Sequence, residues 1–339
     1  MTPLPRRPRV TYMGVVTVIL YLIASAATTH ASPASLAAND LQASSGAVLA
    51  ERQGSSIQQD CVRRYNTSRM NPLPEAGYWN PLNGTNGSNG SMLTIWKDGS
   101  GTPGEPINAI ISANSSEDVL CPEGFLRYAT SINFGVSCFG NTNGTEQWAN
   151  LGDGFGDRMQ GNYGGGNGVL RWNYGDLTFG TCRESIEGDN HFRWFLQNGS
   201  DAFSGAVFLA VSMEESAALG HKIQLDGYNR GRDYLVGNAT RNATTTYEGY
   251  VYKTTVTYIE AGVLLNATSE NINHPDVALP GQPVQDGRVA LLTVTKISDP
   301  STQAAATNAA FSASPSPVFV QAASFALFVV MATSLVFAL

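Results

Sequence analysis

Seven short runs rich in β-branched and aromatic residues divide the central part of this chain. Glycine and asparagine fill the gaps between them, and the chain contains 35 glycines in all. Many short strands with turn residues at regular spacing are typical of a β-sandwich or jelly roll. No repeat of 20–50 residues is present, which disfavours a propeller or solenoid. We therefore predict an all-β, jelly-roll-like domain with long Gly/Asn-rich loops. The runs are MLTIWKDG, GFLRYATSINFGVSCFG, GVLRWNYGDLTFGTC, HFRWFLQNG, SGAVFLAVSM, YEGYVYKTTVTYIEAGVLL and RVALLTVTKIS.

Two segments carry finer predictions. In HFRWFLQ, Phe192, Trp194 and Leu196 alternate with the residues between them, which predicts a strand that is nearly half-buried. The stretch MEESAALGHK (213–222) is the only segment for which we predict a helix.

The N-terminus has the pattern of a secretory signal peptide. Three arginines precede the apolar run 15–27, and the small residues Thr29 and Ala31 stand where signal peptidase reads. We expect residues 1–31 to be removed, with an uncleaved anchor as the alternative.

The C-terminal segment 318–339 is long and apolar enough to span a bilayer. No lysine or arginine follows Lys296, whereas a stop-transfer helix carries basic residues on its cytoplasmic side. Small residues, a spacer and an apolar tail form a GPI-anchor signal. We predict attachment at Asn308, with Ala305, Ala306 and Ser312 as alternatives, residues 299–317 as a stalk, and a single-span membrane protein as the competing interpretation.

The segment between the two signals divides into a flexible Ala/Ser/Gln-rich stretch (32–60) and an ectodomain (61–298). Loss of the three leader arginines from 20 basic residues leaves 17 against 27 acidic residues, a net charge of −10. Nucleic acid and anionic lipid are therefore not expected as partners, since each requires a basic patch. We expect the protein on the extracellular face of the plasma membrane, in the cell wall, or in both.

Asn-X-Ser/Thr sequons are unusually frequent, and three of them stand within NGTNGSNGS. A sequon in a secreted chain marks a surface loop, although the Asn-Gly steps are also turn formers. We expect most of the ten asparagines to be glycosylated: Asn66, Asn83, Asn86, Asn89, Asn114, Asn143, Asn198, Asn238, Asn242 and Asn266.

The four cysteines predict two disulfides in an oxidising compartment. Of the three possible pairings, we favour the one that closes short loops: Cys61 with Cys121, and Cys138 with Cys182. Because no C-x-x-C occurs, neither a zinc knuckle nor a thioredoxin-type site is indicated.

The segment GDGFGDRMQGNYGGGNG (152–168) has eight glycines. Asp153 and Asp157 on this loop could ligate Ca²⁺, which prefers oxygen ligands. The EF-hand spacing is absent, so a metal-free glycine loop is the alternative.

Several aromatic residues stand beside polar ones, as in RWNYGD and DGYNRGRDY. A sugar ring presents an apolar face and a hydroxyl rim, so a flat aromatic side chain with nearby Asp, Asn or Arg suits a glycan. The predicted ligand-binding residues are Trp172, Tyr174, Trp194, Tyr228 and Asp233. The alternative is that these aromatics belong to the core.

No nucleophile elbow, H-E-x-x-H motif or P-loop is present. A pair of carboxylates across a cleft could hydrolyse glycosides, and His191 and His221 could act as bases or hydrogen-bonded structural residues. The candidate carboxylates are Glu184, Glu187, Asp189, Glu214, Glu215, Asp226 and Asp233.

The stretch 190–240 resembles secreted proteins of filamentous fungi with a GPI-type ending, through HFRWFLQNG, SGAVFLAVS and GYNRGRDYLVGNAT. The resemblance implies a fungal, secreted protein and supplies no site residues. Our leading hypothesis is a non-enzymatic, GPI-anchored surface glycoprotein with a structural, adhesive or glycan-binding role toward cell-wall or host polysaccharide. The alternatives are a wall-acting glycoside hydrolase or transglycosidase, and a shielding or effector-like surface protein.

Overall fold

The computed structural model describes residues 59, 61–63, 68–84, 89–97, 103–136, 138, 144–161 and 168–302. All of them belong to one compact unit, 56–339. Twelve strands and three α-helices have defined bounds within these ranges, and further helical residues occur at 59, 61–63, 68 and 300–302. The strands are β1 (Leu93–Trp96), β2 (Pro103–Pro106), β3 (Ala109–Ile111), β4 (Phe134–Val136), β5 (Gln147–Asn150), β6 (Asp157–Met159), β7 (Val169–Trp172), β8 (Asp189–Leu196), β9 (Val207–Glu214), β10 (Thr245–Tyr247), β11 (Tyr250–Ile259) and β12 (Val289–Ser298). The helices are α1 (Pro122–Ser131), α2 (Gly180–Glu187) and α3 (Gly227–Thr240).

The strands form one large sheet and one small sheet. The large sheet has the order β10-β11-β12-β3-β9-β8-β7-β4, and the small one has the order β2-β1-β5-β6. Strands β12 and β3 are parallel, while every other pairing is antiparallel. The expectation of a β-rich fold is confirmed. A jelly roll is not, because its two antiparallel sheets differ from this mixed eight-stranded arrangement.

The predicted helix at 213–222 is wrong. Its first residues belong to β9, and only a 3₁₀ turn at Ala217–Leu219 follows. The three α-helices lie instead in segments that we interpreted as strand or turn. Helix α1 begins with Pro122 at its first turn and buries Phe125, Tyr128 and Ala129 on one face, which is helical spacing despite the aromatic content.

Helix α3 packs very closely on strand β9. A Cβ atom at Gly231 would lie 2.7 Å from the backbone carbon of Ser212. The buried residues of helix α3 include Tyr228, Gly231 and Leu235, which follow the helical period. Glycine therefore serves here as a contact point in a helix rather than as a turn residue.

Strand β8 is buried on both faces, so the predicted half-buried pattern is wrong. Phe192 and Trp194 face a core in which Phe125 lies 6.3 Å and 5.2 Å from their rings. His191 and Arg193 are equally buried on the opposite face. A strand covered on both sides does not alternate between apolar and solvent-facing residues. Here the second face is polar but still buried.

Candidate functional site

A buried layer of charged side chains covers one face of strands β7, β8 and β9. We call it the charged layer. It receives one residue from α2, one from β2 of the small sheet, and one from the turn after β9. Its members are Glu105, Arg171, Glu184, His191, Arg193, Ser212, Glu214 and His221.

Strand register brings the centre of this layer together. Arg171 pairs with His191 across β7 and β8, and His191 pairs with Ser212 across β8 and β9. Directly opposed residues on neighbouring strands point to the same face. Arg193 and Glu214 lie two residues further along their strands and therefore share that face.

Arg171 bridges two carboxylates. Its Nη1 atom donates to Glu184 Oε2 at 2.7 Å and to Glu214 Oε2 at 3.4 Å. His221 Nδ1 lies 3.3 Å from the same Glu214 oxygen, and about a third of its side chain is exposed. Glu184 is fully buried, whereas His221 is the most exposed member of the layer.

Arg193, which carries the second guanidinium of the layer, pairs with Glu105 of the small sheet. Arg193 Nη1 donates to Glu105 Oε2 at 3.1 Å and lies 3.2 Å from His191 Nε2. His191 Nε2 is also 3.5 Å from Glu214 Oε1 and 3.4 Å from Ser212 Oγ. The His191 imidazole therefore lies between the Arg193–Glu105 pair and the Arg171–Glu214 pair.

The protonation behaviour of these groups diverges. Burial raises the pKa of Glu184 to about 7, against the opposing effect of Arg171. Burial lowers the pKa of His191 to about 3, so this imidazole is neutral at neutral pH. Glu214 is also desolvated, but His191, His221 and Arg171 together hold its pKa at about 2. The Glu214 carboxylate, 3.3 Å from Nδ1, raises the pKa of His221.

Charge counting explains why the pKa of Glu184 and the pKa of His221 are both raised. The layer holds three carboxylates and two guanidiniums, so one negative charge has no permanent partner. A buried uncompensated charge is costly. Protonation of either Glu184 or His221 removes that cost. Two carboxyls with separated pKa values in one cluster are also characteristic of acid–base sites.

Glu184, His191 and Glu214 have the composition of a metal site, since their ligand atoms lie within 4.8 Å of one another. The geometry does not fit a cation, because Arg171 already donates to both carboxylates. Arg193 also points its Nη1 at the histidine nitrogen. Arg171 thus occupies the position between the two carboxylates that a cation would take.

Four atoms of the charged layer have no hydrogen-bond partner among the described residues: Glu184 Oε1, His191 Nδ1, Arg193 Nε and His221 Nδ1, the last of which lies within ion-pair distance of Glu214. Buried polar atoms are nearly always paired in stable interiors, so each unpaired atom calls for a physical explanation. The layer is therefore not a fully satisfied structural network.

The predicted glycan-binding residues do not form one surface. Trp172, Trp194 and Tyr228 are buried, and Trp172 packs edge-on against Phe134 at 5.6 Å. The interpretation as core aromatics, which we weighed as the alternative, describes these three. A ring inside the core has no flat face left for a sugar.

The other two predicted ligand-binding residues lie at the surface. Tyr174 is half-buried; its hydroxyl donates to the Gly188 carbonyl at 2.8 Å, and Arg183 stacks on its ring at 4.0 Å. Asp233 is exposed and accepts from Arg232 Nε at 2.9 Å.

The predicted calcium ligands are separated by their partners. Asp153 is fully buried and paired with Arg158, and its other oxygen accepts from the Gly199 backbone at 2.7 Å. Asp157 lies at the surface, 3.3 Å from Lys97. A carboxylate already neutralised by a buried guanidinium is a poor ligand for Ca²⁺. This placement argues against the calcium prediction.

Both disulfides have the pairing that short loops favoured. Cys61 is bonded to Cys121 and Cys138 to Cys182. The second bond joins the chain just beyond β4 to helix α2, which carries Glu184. It therefore anchors the helix that supplies one carboxylate of the charged layer.

The sequon asparagines fall into three groups. Asn238 is buried, and its side-chain nitrogen donates to the Tyr234 carbonyl, while half-buried Asn198 accepts from Arg158 at 2.6 Å. These two placements disfavour glycosylation in the folded state. Asn66, Asn86 and Asn143 lie outside the described residues, as do the leader, Asn308 and the apolar tail. The exposed ones are Asn83, Asn89, Asn114, Asn242 and Asn266.

Sequence reasoning named both carboxylates of the bridge but missed the residues that hold them. Arg171 and Arg193 stand inside apolar strand runs, VLRW and HFRWF. A charge inside an otherwise apolar strand is a signal of a buried partner. That signal could have identified both arginines, though not their carboxylates.

Comparisons with protein-family models, curated proteins and solved structures found no match to this chain. Among the residues that the structure describes, none of the helices combines the length and apolar character needed to cross a bilayer.

Proposed function

We propose that this chain is a GPI-anchored, N-glycosylated cell-surface protein with a non-enzymatic, structural or adhesive role at the cell wall. The observation that supports this most is the contrast between surface and interior. Five sequon asparagines are exposed among the described residues, whereas the charged layer lies largely in the interior. The two disulfides suit an oxidising, extracellular setting.

The location is tested by expressing the full chain in a filamentous fungus and treating intact cells with a phosphatidylinositol-specific phospholipase. Release of a glycosylated protein supports the proposal. Retention that only detergent overcomes would favour a spanning helix instead, and an Asn308→Gln variant tests the attachment residue.

The role is tested with the released protein on a panel of fungal and plant wall polysaccharides. Binding without released sugars supports an adhesive role. A glycan-holding function would then rest on Tyr174 and Asp233, the predicted residues that lie at the surface. Release of sugars would contradict the non-enzymatic proposal, and neither binding nor release would favour the shielding alternative.

A second candidate function is acid–base hydrolysis of a glycoside by Glu184 and Glu214. It is favoured by their separated pKa values and by the unpaired Glu184 Oε1. In this proposal Glu184 would donate a proton to the leaving oxygen while Glu214 stays ionised. Arg171 occupies the space between them, so the reaction would require this guanidinium to move aside.

The hydrolase is tested by measuring sugar release with Glu184→Gln, Glu214→Gln and the control Glu187→Gln. Glu187 lies on the same helix, is exposed and pairs only with Arg183 among the described side chains. Loss of activity in the first two variants at unchanged folding supports catalysis. Equal activity in all three excludes these carboxylates as the pair.

A further inference from the structure

An open cavity of about 210 Å³ lies beside the exposed sequon at Asn266, which is itself one of the lining residues. Its walls carry Leu264, Leu265 and Ile272, all largely buried, together with Leu82, which is 38% exposed. Polar groups also line it: Ser91, Glu270, Asn271 and Gln285. Apolar walls combined with a few hydrogen-bonding groups match the two surfaces of a sugar ring.

The sequon loop is held in a fixed position at the rim. Thr268 donates its backbone N–H to the Asn266 carbonyl at 2.8 Å, and the buried Gln285 side chain donates to that same carbonyl. The Thr268 hydroxyl in turn accepts from the Glu270 backbone at 3.1 Å. A sugar attached to the Asn266 side chain would therefore start from a defined point at the mouth.

We infer that this cavity seats the first sugar residues of an N-linked glycan on Asn266. Attachment is the general transfer reaction: the Asn266 amide nitrogen bonds to the anomeric carbon of a lipid-diphosphate-linked oligosaccharide, and the carrier diphosphate leaves while the amide loses a proton. The inference rests on the proposed secretory route. It adds that one glycan is packed against the protein while others extend into solvent.

Covalent attachment to Asn266 explains why this glycan, and not a free sugar, would fill the cavity. A free sugar would bind so small and open a cavity weakly, whereas a covalently attached one is present at high effective concentration. An open apolar cavity of this kind would otherwise expose Leu82 and its neighbours to water. Asn83 lies beside Leu82 but does not line the cavity, so Asn266 is the attachment point.

The test compares two glycans on the native protein secreted from a fungal host. Asn242 is the matched control, because it is exposed and takes no part in the cavity. Peptide-N-glycosidase is added without denaturant, and release at each site is followed by mass spectrometry. We expect release at Asn266 to be roughly tenfold slower, equivalent to ~1.4 kcal/mol of contact with the cavity.

A substitution in a residue that lines the cavity tests whether slow release comes from contact with the cavity or only from poor access of the enzyme to Asn266. Leu82→Ser removes apolar contact and should accelerate release at Asn266, while Leu279→Ser, equally exposed at 39% and outside the cavity, should not. Equal release rates at Asn266 and Asn242 would overturn the inference. So would an unoccupied Asn266 beside an occupied Asn242, which leaves the secretory proposal intact. If no sequon is occupied, the proposed location fails and the inference falls with it.

Discussion

Replacement of Glu184 by glutamine should change how the stability of this protein depends on pH. Burial raises the folded-state pKa of Glu184 from 4.5 to about 7. The folded protein thus binds this proton more tightly than the unfolded chain. The stabilisation is complete below pH 4.5 and is lost as pH rises through about 7. A shift of this size corresponds to about 3 kcal/mol.

Glutamine resembles the protonated carboxyl and does not ionise. The difference in unfolding free energy between the parent and Glu184→Gln should therefore move by about 3 kcal/mol against the parent between pH 4 and pH 8. The two proteins should be most alike in acid. We compare the difference between the two unfolding free energies because His191 contributes its own pH dependence to both proteins. Its pKa is lowered to about 3 in the folded state, so its stabilising effect grows as pH rises toward 6.5.

The assay is urea unfolding at intervals of pH with the disulfides intact, on the parent, Glu184→Gln and Glu187→Gln. The control alters an exposed ion pair with Arg183 and should give a nearly flat difference. A flat curve for Glu184→Gln would show that Glu184 titrates normally. A curve of opposite sign would show that Arg171 holds Glu184 ionised, and the charge count in the layer would then be wrong.

Two further predictions concern residues outside the charged layer. Asp153→Asn should lower the unfolding free energy by about 3–5 kcal/mol in urea, because it leaves the buried Arg158 without its carboxylate. Asp157→Asn should lower it by under ~1 kcal/mol, and added Ca²⁺ should leave the melting temperature of the parent unchanged. Equal costs for the two variants would contradict the buried-pair assignment. Gly231→Ala should destabilise the protein by about 1–3 kcal/mol, because the new methyl group meets strand β9. The control Gly237→Ala has open space around it and should stabilise helix α3 by up to ~1 kcal/mol. Similar melting temperatures for the two variants would show that the contact at Gly231 is loose.

Local pattern predicted the strands and little of how they associate. HFRWFLQNG and SGAVFLAVSM became β8 and β9 because β-branched and aromatic side chains favour a pleated surface. The helices were missed since α1 is rich in aromatics and α3 contains three glycines, and both compositions argue against a helix when helical period is not weighed.

The candidate site was predictable only in part. Glu184 and Glu214 were named as single residues, but their meeting depends on the order β9-β8-β7 and on how α2 packs over it. These contacts join residues tens of positions apart, and no short-range pattern encodes them. Trp172 and Trp194, which we had expected at the surface, are buried in the core on the opposite face of the same strands.

The position of strand β12 has a consequence for how the protein is made. β12 comes last among the described strands, yet it lies inside the large sheet, between β11 and β3. Until residues 289–298 have left the ribosome, β3 and β11 each present an unpaired edge, and such edges invite association with other chains. Completion of the sheet must therefore wait until residues 289–298 have been synthesised. Both edges would have to be protected from other chains during that interval.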